Sequence, residues 1–364
     1  MSHQIKSICF AAMLAAPVLV SNGAVAAESS LCPAAINIVG DLACVESARG
    51  VALAQDATRA QRLLDLAEGG ASRFESYFDI EPLRYAVVEQ PDAVLSNDKI
   101  VTLRKSGYPV VLAWLSEAVF RQQSEASIRR AVTAQMAGRS AEEIEAAVQA
   151  GMARQMDPAR RARIELAAVP HELGHDWFRI GYWPGAPLGE NKHYGGPSPD
   201  WLDEMSAVLL EAPEMFAERI TQFEQRYAKY RANPAGADEG TRLLLDLKNF
   251  MTETHPAFDQ VRLLNAMQSD EEKKSTVRVL TGDEARKIAE GGVRFYLQSA
   301  VASEYLIDRT GDQQIFGRIA RAFVRGETIE QWLAGAEPKG TLPRDLDALQ
   351  ADWMAWLEKR FPSG

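Results

Sequence analysis

The sequence predicts an α+β fold, predominantly helical, in which a small sheet-containing N-terminal part and a helical C-terminal part flank a cleft. Three observations point there. Runs rich in β-formers at 85–89 (YAVVE), 100–104 (IVTLR) and 109–114 (PVVLAW) lie close together, with turn formers between them. Before and after these runs, apolar residues recur at helical spacing. A stretch dense in Gly and Pro at 181–200 then interrupts the helices, and loops of that length in compact domains are often functional.

Taken in order, the chain begins with Lys6, an apolar run over 8–20 and the small residues Ala24-Val25-Ala26-Ala27. A basic start, a short apolar core and an Ala-x-Ala site describe a secretory signal peptide over 1–27, cleaved near Ala26 or Ala27. Pro17 and the shortness of the run argue against a membrane span. The expected location is therefore outside the cytoplasm, periplasmic or secreted. Cys9 leaves with the signal, so Cys32 and Cys44 remain as a pair, and in an exported protein they are expected to form a disulfide. Net charge is −10 with no block of Lys or Arg, which excludes nucleic acid and anionic membrane surfaces as expected partners.

Residues 28–180 form the expected N-terminal subdomain. A helix over 56–77 carries Ala60, Leu63, Leu64, Ala67, Ala71 and Phe74 on one face. The three β-rich runs follow, and 100–104 alternates apolar and polar as a half-buried strand does. Ser140 with Glu143 forms a capping box, and Asp157-Pro158 opens another helix with Asp as N-cap and Pro in the first turn. That helix leads into Val169-Pro170-His171-Glu172-Leu173-Gly174-His175. Pro170 cannot donate a backbone hydrogen bond to Leu166, so the helix either kinks there or restarts at the motif.

His171 and His175 stand four residues apart, on one face of a helix. Two imidazoles so placed can share a metal, and Zn²⁺ is the usual occupant. Glu172 sits beside the metal rather than behind it, where a carboxylate can act as general base towards a zinc-activated water. A catalytic zinc needs one more protein ligand. Past the loop, in the expected C-terminal subdomain of 181–364, comes Ser198-Pro199-Asp200-Trp201-Leu202-Asp203-Glu204-Met205-Ser206-Ala207. Ser198 as N-cap and Pro199 at the first position begin a helix that continues into apolar residues, so Glu204 is expected near the core, where a carboxylate needs a partner.

His171-Glu-Leu-Gly-His175 followed by Trp201-Leu-Asp-Glu204-Met-Ser-Ala207 resembles the gluzincin zinc metallopeptidases of the peptidase MA-like superfamily. The resemblance extends in pattern over 295–311, 326–333 and 346–357. It implies one zinc ion held by His171, His175 and Glu204, Glu172 as the base, and a peptide or protein as substrate. It also implies an oxyanion donor downstream of the third ligand, for which Tyr296 is the first choice and His255 the second. His193, in the loop with Tyr194, is a weaker rival to Glu204 as ligand. The Gly-x-Met-Glu-Asn segment of related aminopeptidases is absent, so an aminopeptidase is not implied. Val208 stands where thermolysin-like relatives place an Asp that steadies a zinc histidine, leaving Asp176, Asp203 and Glu211 as candidates for that task. Two other readings fit the same residues: a catalytically silent zinc-binding scaffold on a peptidase-like fold, and a hydrolase of cell-wall amide bonds. Oligomeric state is left open.

Overall fold

The computed structural model describes residues 30–186, 196–256, 282–335 and 341–362. The expected signal segment lies outside these residues, as do His193 and Tyr194. Leu31–Gly364 form one compact unit, predominantly helical after a four-stranded sheet.

The sheet is built from β1 (Ala43–Glu46), β2 (Gly50–Ala54), β3 (Tyr85–Gln90) and β4 (Val110–Leu115), in that spatial order. β1 and β2 pair antiparallel, and the other two junctions are parallel. Parallel neighbours need a crossover, and this explains the one expected strand that is absent. Residues 100–104 belong to α3 (Asn97–Lys105), a helix that carries the chain from β3 to β4. Its charges suit a helix, with Asp98 in the first turn and Arg104 and Lys105 in the last. Alternation over five residues was too short a pattern to outweigh that topology. β1 and β2 carry no run of β-formers comparable to β3.

Helices cover both faces of the sheet. α1 (Cys32–Val39) and α3 pack on the face of Val51, Leu53, Ala86 and Val88. The Cys32–Cys44 disulfide is present and ties α1 to β1. α2 (Ala57–Phe78) lies on the other face, capped by Asp56, whose carboxylate accepts from Arg59 N at 2.9 Å. It buries the apolar face expected of it, from Ala60 to Phe74.

After β4 come α4 (Glu117–Gln135) and α5 (Ala141–Gln155), an antiparallel pair packed mainly on each other; α5 opens with the capping box of Ser140 and Glu143. The long α6 (Pro158–Tyr182) returns to the body, capped by Asp157. Its inward face carries Trp177, whose indole packs on Phe74 and Tyr85 and donates to Leu83 O at 2.8 Å. Arg59 of α2 lies between Glu89 of β3 and Glu165 of α6, each contact 2.6 Å, joining helix, sheet and helix through a buried ion cluster.

The second part contributes α7 (Asp200–Val208), α8 (Pro213–Ala232), α9 (Glu239–Leu245), α10 (Leu247–Phe250), α11 (Gly282–Thr310), α12 (Ile315–Val324), α13 (Ile329–Ala334) and α14 (Leu346–Arg360). One apolar core runs from the sheet through α2, α6 and α7 to Trp353 and Trp356 of α14. No helix among the described residues is long and apolar enough to cross a membrane.

Candidate metal centre

α6 runs unbroken through Pro170, so His171 and His175 stay in register on one face, their rings 4.9 Å apart and nearly perpendicular. The carbonyl that Pro170 leaves without its helical donor, Leu166 O, accepts instead from Ala212 N at 3.1 Å. That bond fastens the turn after α7 against the motif. Arg73 of α2 holds the same turn from the other side, donating through Nε and Nη2 to Leu210 O at 2.9 and 2.6 Å.

α7 crosses α6 at Gly174. A Cβ built there would lie 2.9 Å from Leu210 Cδ1 and 3.0 Å from Ala207 Cα, so only glycine permits the approach. Every residue of α7 is buried, Glu204 included. The helix starts one residue later than expected: Pro199 occupies the N-cap position without a side-chain cap, and Asp200, the first helical residue, accepts from His255 N at 2.6 Å.

The crossing brings three ligand-type atoms together. Glu204 Oε1 lies 3.3 Å from His171 Nε2 and Glu204 Oε2 lies 4.0 Å from His175 Nε2. His171, His175 and Glu204 each offer an atom within 4.8 Å of the others, a grouping that can hold a metal ion. The remaining ring nitrogens face carboxylates: His171 Nδ1 is hydrogen-bonded to Glu211 Oε1 at 3.0 Å, and His175 Nδ1 lies 2.9 Å from Asp203 Oδ2. Carboxylates in that position fix the tautomer and raise ligand basicity. Of the three orienting candidates in the sequence, Glu211 and Asp203 therefore reach the histidines. Asp176 does not; it pairs with Arg104 and Arg179.

Charge points the same way. Asp203, Glu204 and Glu211 are at most 2% exposed. Glu211 has a cation of its own, since Arg219 Nε donates to its Oε2 at 2.6 Å. Burial works against its ionisation, but the bonds from His171 and Arg219 prevail and hold its pKa low. Burial pushes the Glu204 carboxyl up. Burial also opposes protonation of both histidines, yet Glu204 and Glu211 raise His171, and Asp203 with Glu204 raises His175 to about 10. Without a cation, the surroundings therefore favour proton binding at His171, His175 and Glu204. A divalent cation held by His171, His175 and Glu204 would supply the same positive charge, and nitrogen and oxygen donors of this kind suit zinc.

Around this centre, Glu172 is exposed on the same helix and lines a cavity of about 940 Å³ together with His171, Glu211, Arg219 and Tyr296. Both downstream candidates come to the site, in different ways. Tyr296, on α11, reaches the cavity, its ring edge-on to His171 at 5.5 Å and beneath the Arg219 guanidinium at 4.9 Å. His255 lies beside Glu204, 4% exposed, with Nε2 3.7 Å from Glu204 Oε2; burial lowers its pKa to about 4. No residue of β4 lines the cavity, whose described lining comes mainly from helices. Sequence reasoning missed Arg219. Its position on an amphipathic surface helix carries no local sign that it turns inward to a carboxylate eight residues earlier. Comparisons with protein-family models, with curated proteins and with solved structures found no match to this chain.

Proposed function

We propose that this protein is an exported zinc metallopeptidase of gluzincin type, with His171, His175 and Glu204 as ligands of one ion and Glu172 as general base. The observation that supports it best is the completeness of the cluster: three ligand atoms, a carboxylate behind each histidine, and a further carboxylate exposed to a cavity beside them. A purely structural metal site needs neither the exposed glutamate nor the cavity.

A zinc ion held there supplies Lewis acidity, polarising a carbonyl and making water acidic near neutral pH. The chain's own groups do the rest. Glu172, solvent-facing and next to His171, takes a proton from water as it attacks the scissile carbonyl and passes it to the departing amine. The Tyr296 hydroxyl donates to the oxygen that gains charge in the tetrahedral species. Glu211 and Asp203 hold the two imidazoles so that Nε2 faces Glu204. The Cys32–Cys44 disulfide supports the exported part of the reading, because such bonds persist in oxidising compartments.

The test measures bound zinc and cleavage of a peptide library in the wild type, Glu172→Gln and Glu204→Ala. Glu172→Gln is expected to keep its zinc and lose activity by about 10²- to 10⁴-fold, the usual contribution of a general base. Glu204→Ala is expected to lose most of the metal. Activity surviving in Glu172→Gln refutes the mechanism, and full zinc retention in Glu204→Ala removes it as a ligand.

A further inference from the structure

The cavity beside Glu172 is much longer than the catalytic cluster requires. Away from His171 it follows one face of α6, through Ala168 and Ala167, then Ile164 and Arg163, to Arg160. These positions repeat every three or four residues and so share one stripe of the helix. Met215 of α8 faces this stripe, and Arg154 at the end of α5 closes the far end with Arg160. Small and apolar side chains thus line the stretch from His171 to the far end, where Ala153 and Ala159 accompany Arg154 and Arg160.

The arginines differ in their engagements. Arg219 is committed to Glu211, and Arg163 pairs with Glu218. Arg154 and Arg160 make no ion pair among the described residues, and both are exposed at the cavity rim. Asp157, which also lines this end of the cavity, is the α6 N-cap and accepts from Arg160 N at 2.8 Å. Two guanidinium groups with no ion pair among the described residues therefore lie together at one end of the trough.

We infer that this trough is a substrate subsite for small and apolar residues that ends in a carboxylate-binding position formed by Arg154 and Arg160. The inference rests on the peptidase reading and names the substrate class of that same site. Arg160 lies eleven residues before His171, which is roughly 16 Å of helix at 1.5 Å per residue. An extended peptide covers about 3.4 Å per residue, so the carboxylate falls about four to five residues from the scissile bond. Arginine suits the task because its planar fork can take both carboxylate oxygens. The carboxylate belongs either to an Asp or Glu side chain or to the free C-terminus of a short peptide.

The test uses zinc-loaded protein and peptides with small apolar residues around the scissile bond. One arm compares Glu with Gln at each of the fourth and fifth positions on either side. The other compares a free C-terminal carboxylate with an amide at the same distances. The readouts are kcat/KM, and anisotropy binding of the uncleaved peptides to the Glu172→Gln protein. The carboxylate is expected to be favoured about fivefold in both, the upper end for an exposed ion pair, and the preference should shrink as ionic strength rises from about 0.05 to about 0.5 M. In Arg154→Gln/Arg160→Gln the ratio should fall to near one, and in Arg154→Glu/Arg160→Glu it should reverse towards Lys-bearing peptides. Because both side chains are exposed, zinc content and melting temperature are expected to match wild type. A preference that survives both double variants, or no preference in a wild type that cleaves neutral peptides, overturns the subsite and leaves the peptidase reading standing. Failure of the wild type to cleave any peptide overturns that reading, and the subsite with it.

Discussion

Gly174→Ala probes the geometry of the metal centre without touching a ligand. The added Cβ would sit 3.0 Å from Ala207 Cα and 2.9 Å from Leu210 Cδ1. Carbon atoms in ordinary contact are about 3.5 to 4.0 Å apart, so α6 and α7 must separate by roughly half an ångström to one ångström. The leucine methyl can rotate away, but the Ala207 backbone cannot. Overpacking of this kind costs about 1 to 3 kcal/mol, and replacing a mid-helix glycine with alanine returns about 1 kcal/mol. Net destabilisation of about 0 to 2 kcal/mol leaves the protein folded. Glu204 rides on α7 and both histidines on α6, so the same displacement opens the ligand triangle. Zinc affinity, measured by competition with a calibrated chelator, is expected to fall about 10- to 100-fold, comparable to losing an outer-shell partner, while the unfolding temperature of metal-free protein drops only a few degrees. A dissociation constant within twofold of wild type would refute the claim that this glycine sets the distance between the helices.

Two further outcomes follow from the same geometry. Glu211→Gln keeps the shape of the side chain but removes the charge shared by His171 and Arg219; zinc should bind about 10- to 100-fold more weakly, and the melting temperature should fall because Arg219 is left inside without its partner. Unchanged affinity there would mean that His171 is oriented by packing alone. The second outcome concerns pH. In metal-free protein the folded state raises His175 from 6.5 to about 10, so the stability it contributes is fully present below about pH 6.5 and is lost as pH rises through about 10. Metal-free melting temperature should therefore decline over that range. Zinc binding at pH 8 should release protons, read by titration calorimetry in two buffers of different ionisation enthalpy. Rising metal-free stability over that interval, or zinc uptake without proton release, would contradict the assignment.

What could be read from the sequence was local. The two histidines, Glu172 and Glu204 were recognisable because helical spacing determines which side chains share a face, and the structure places the three ligand candidates within reach of one another. Helix starts with a capping carboxylate or capping box, at Asp56, Ser140 and Asp157, appear where expected for the same reason. The misses are cases where distant partners decide. Residues 100–104 look like a strand until β3 and β4 are known to be parallel. β2 (GVALA) is short and buried at every position, so it shows no alternation to detect. Arg219 acquires its role only when α8 packs beside the turn holding Glu211. Glu211 and Asp203 could be named as candidates, but choosing them over Asp176 required knowing which of their neighbours were already occupied.

Pro170 stands directly before the first ligand, where proline would ordinarily be counted as damage to a helix. The acceptor it releases is taken up by a backbone amide from beyond α7, next to Glu211. The carboxylate that steadies His171 is thus set by main-chain architecture, and the ordering it requires is completed when the chain folds. Small zinc modules order their ligands only as the ion arrives, so binding and folding are one event for them. Here the candidate donors already stand together in the folded chain, so a zinc ion bound there would meet them in place, with little conformational entropy left to lose on binding.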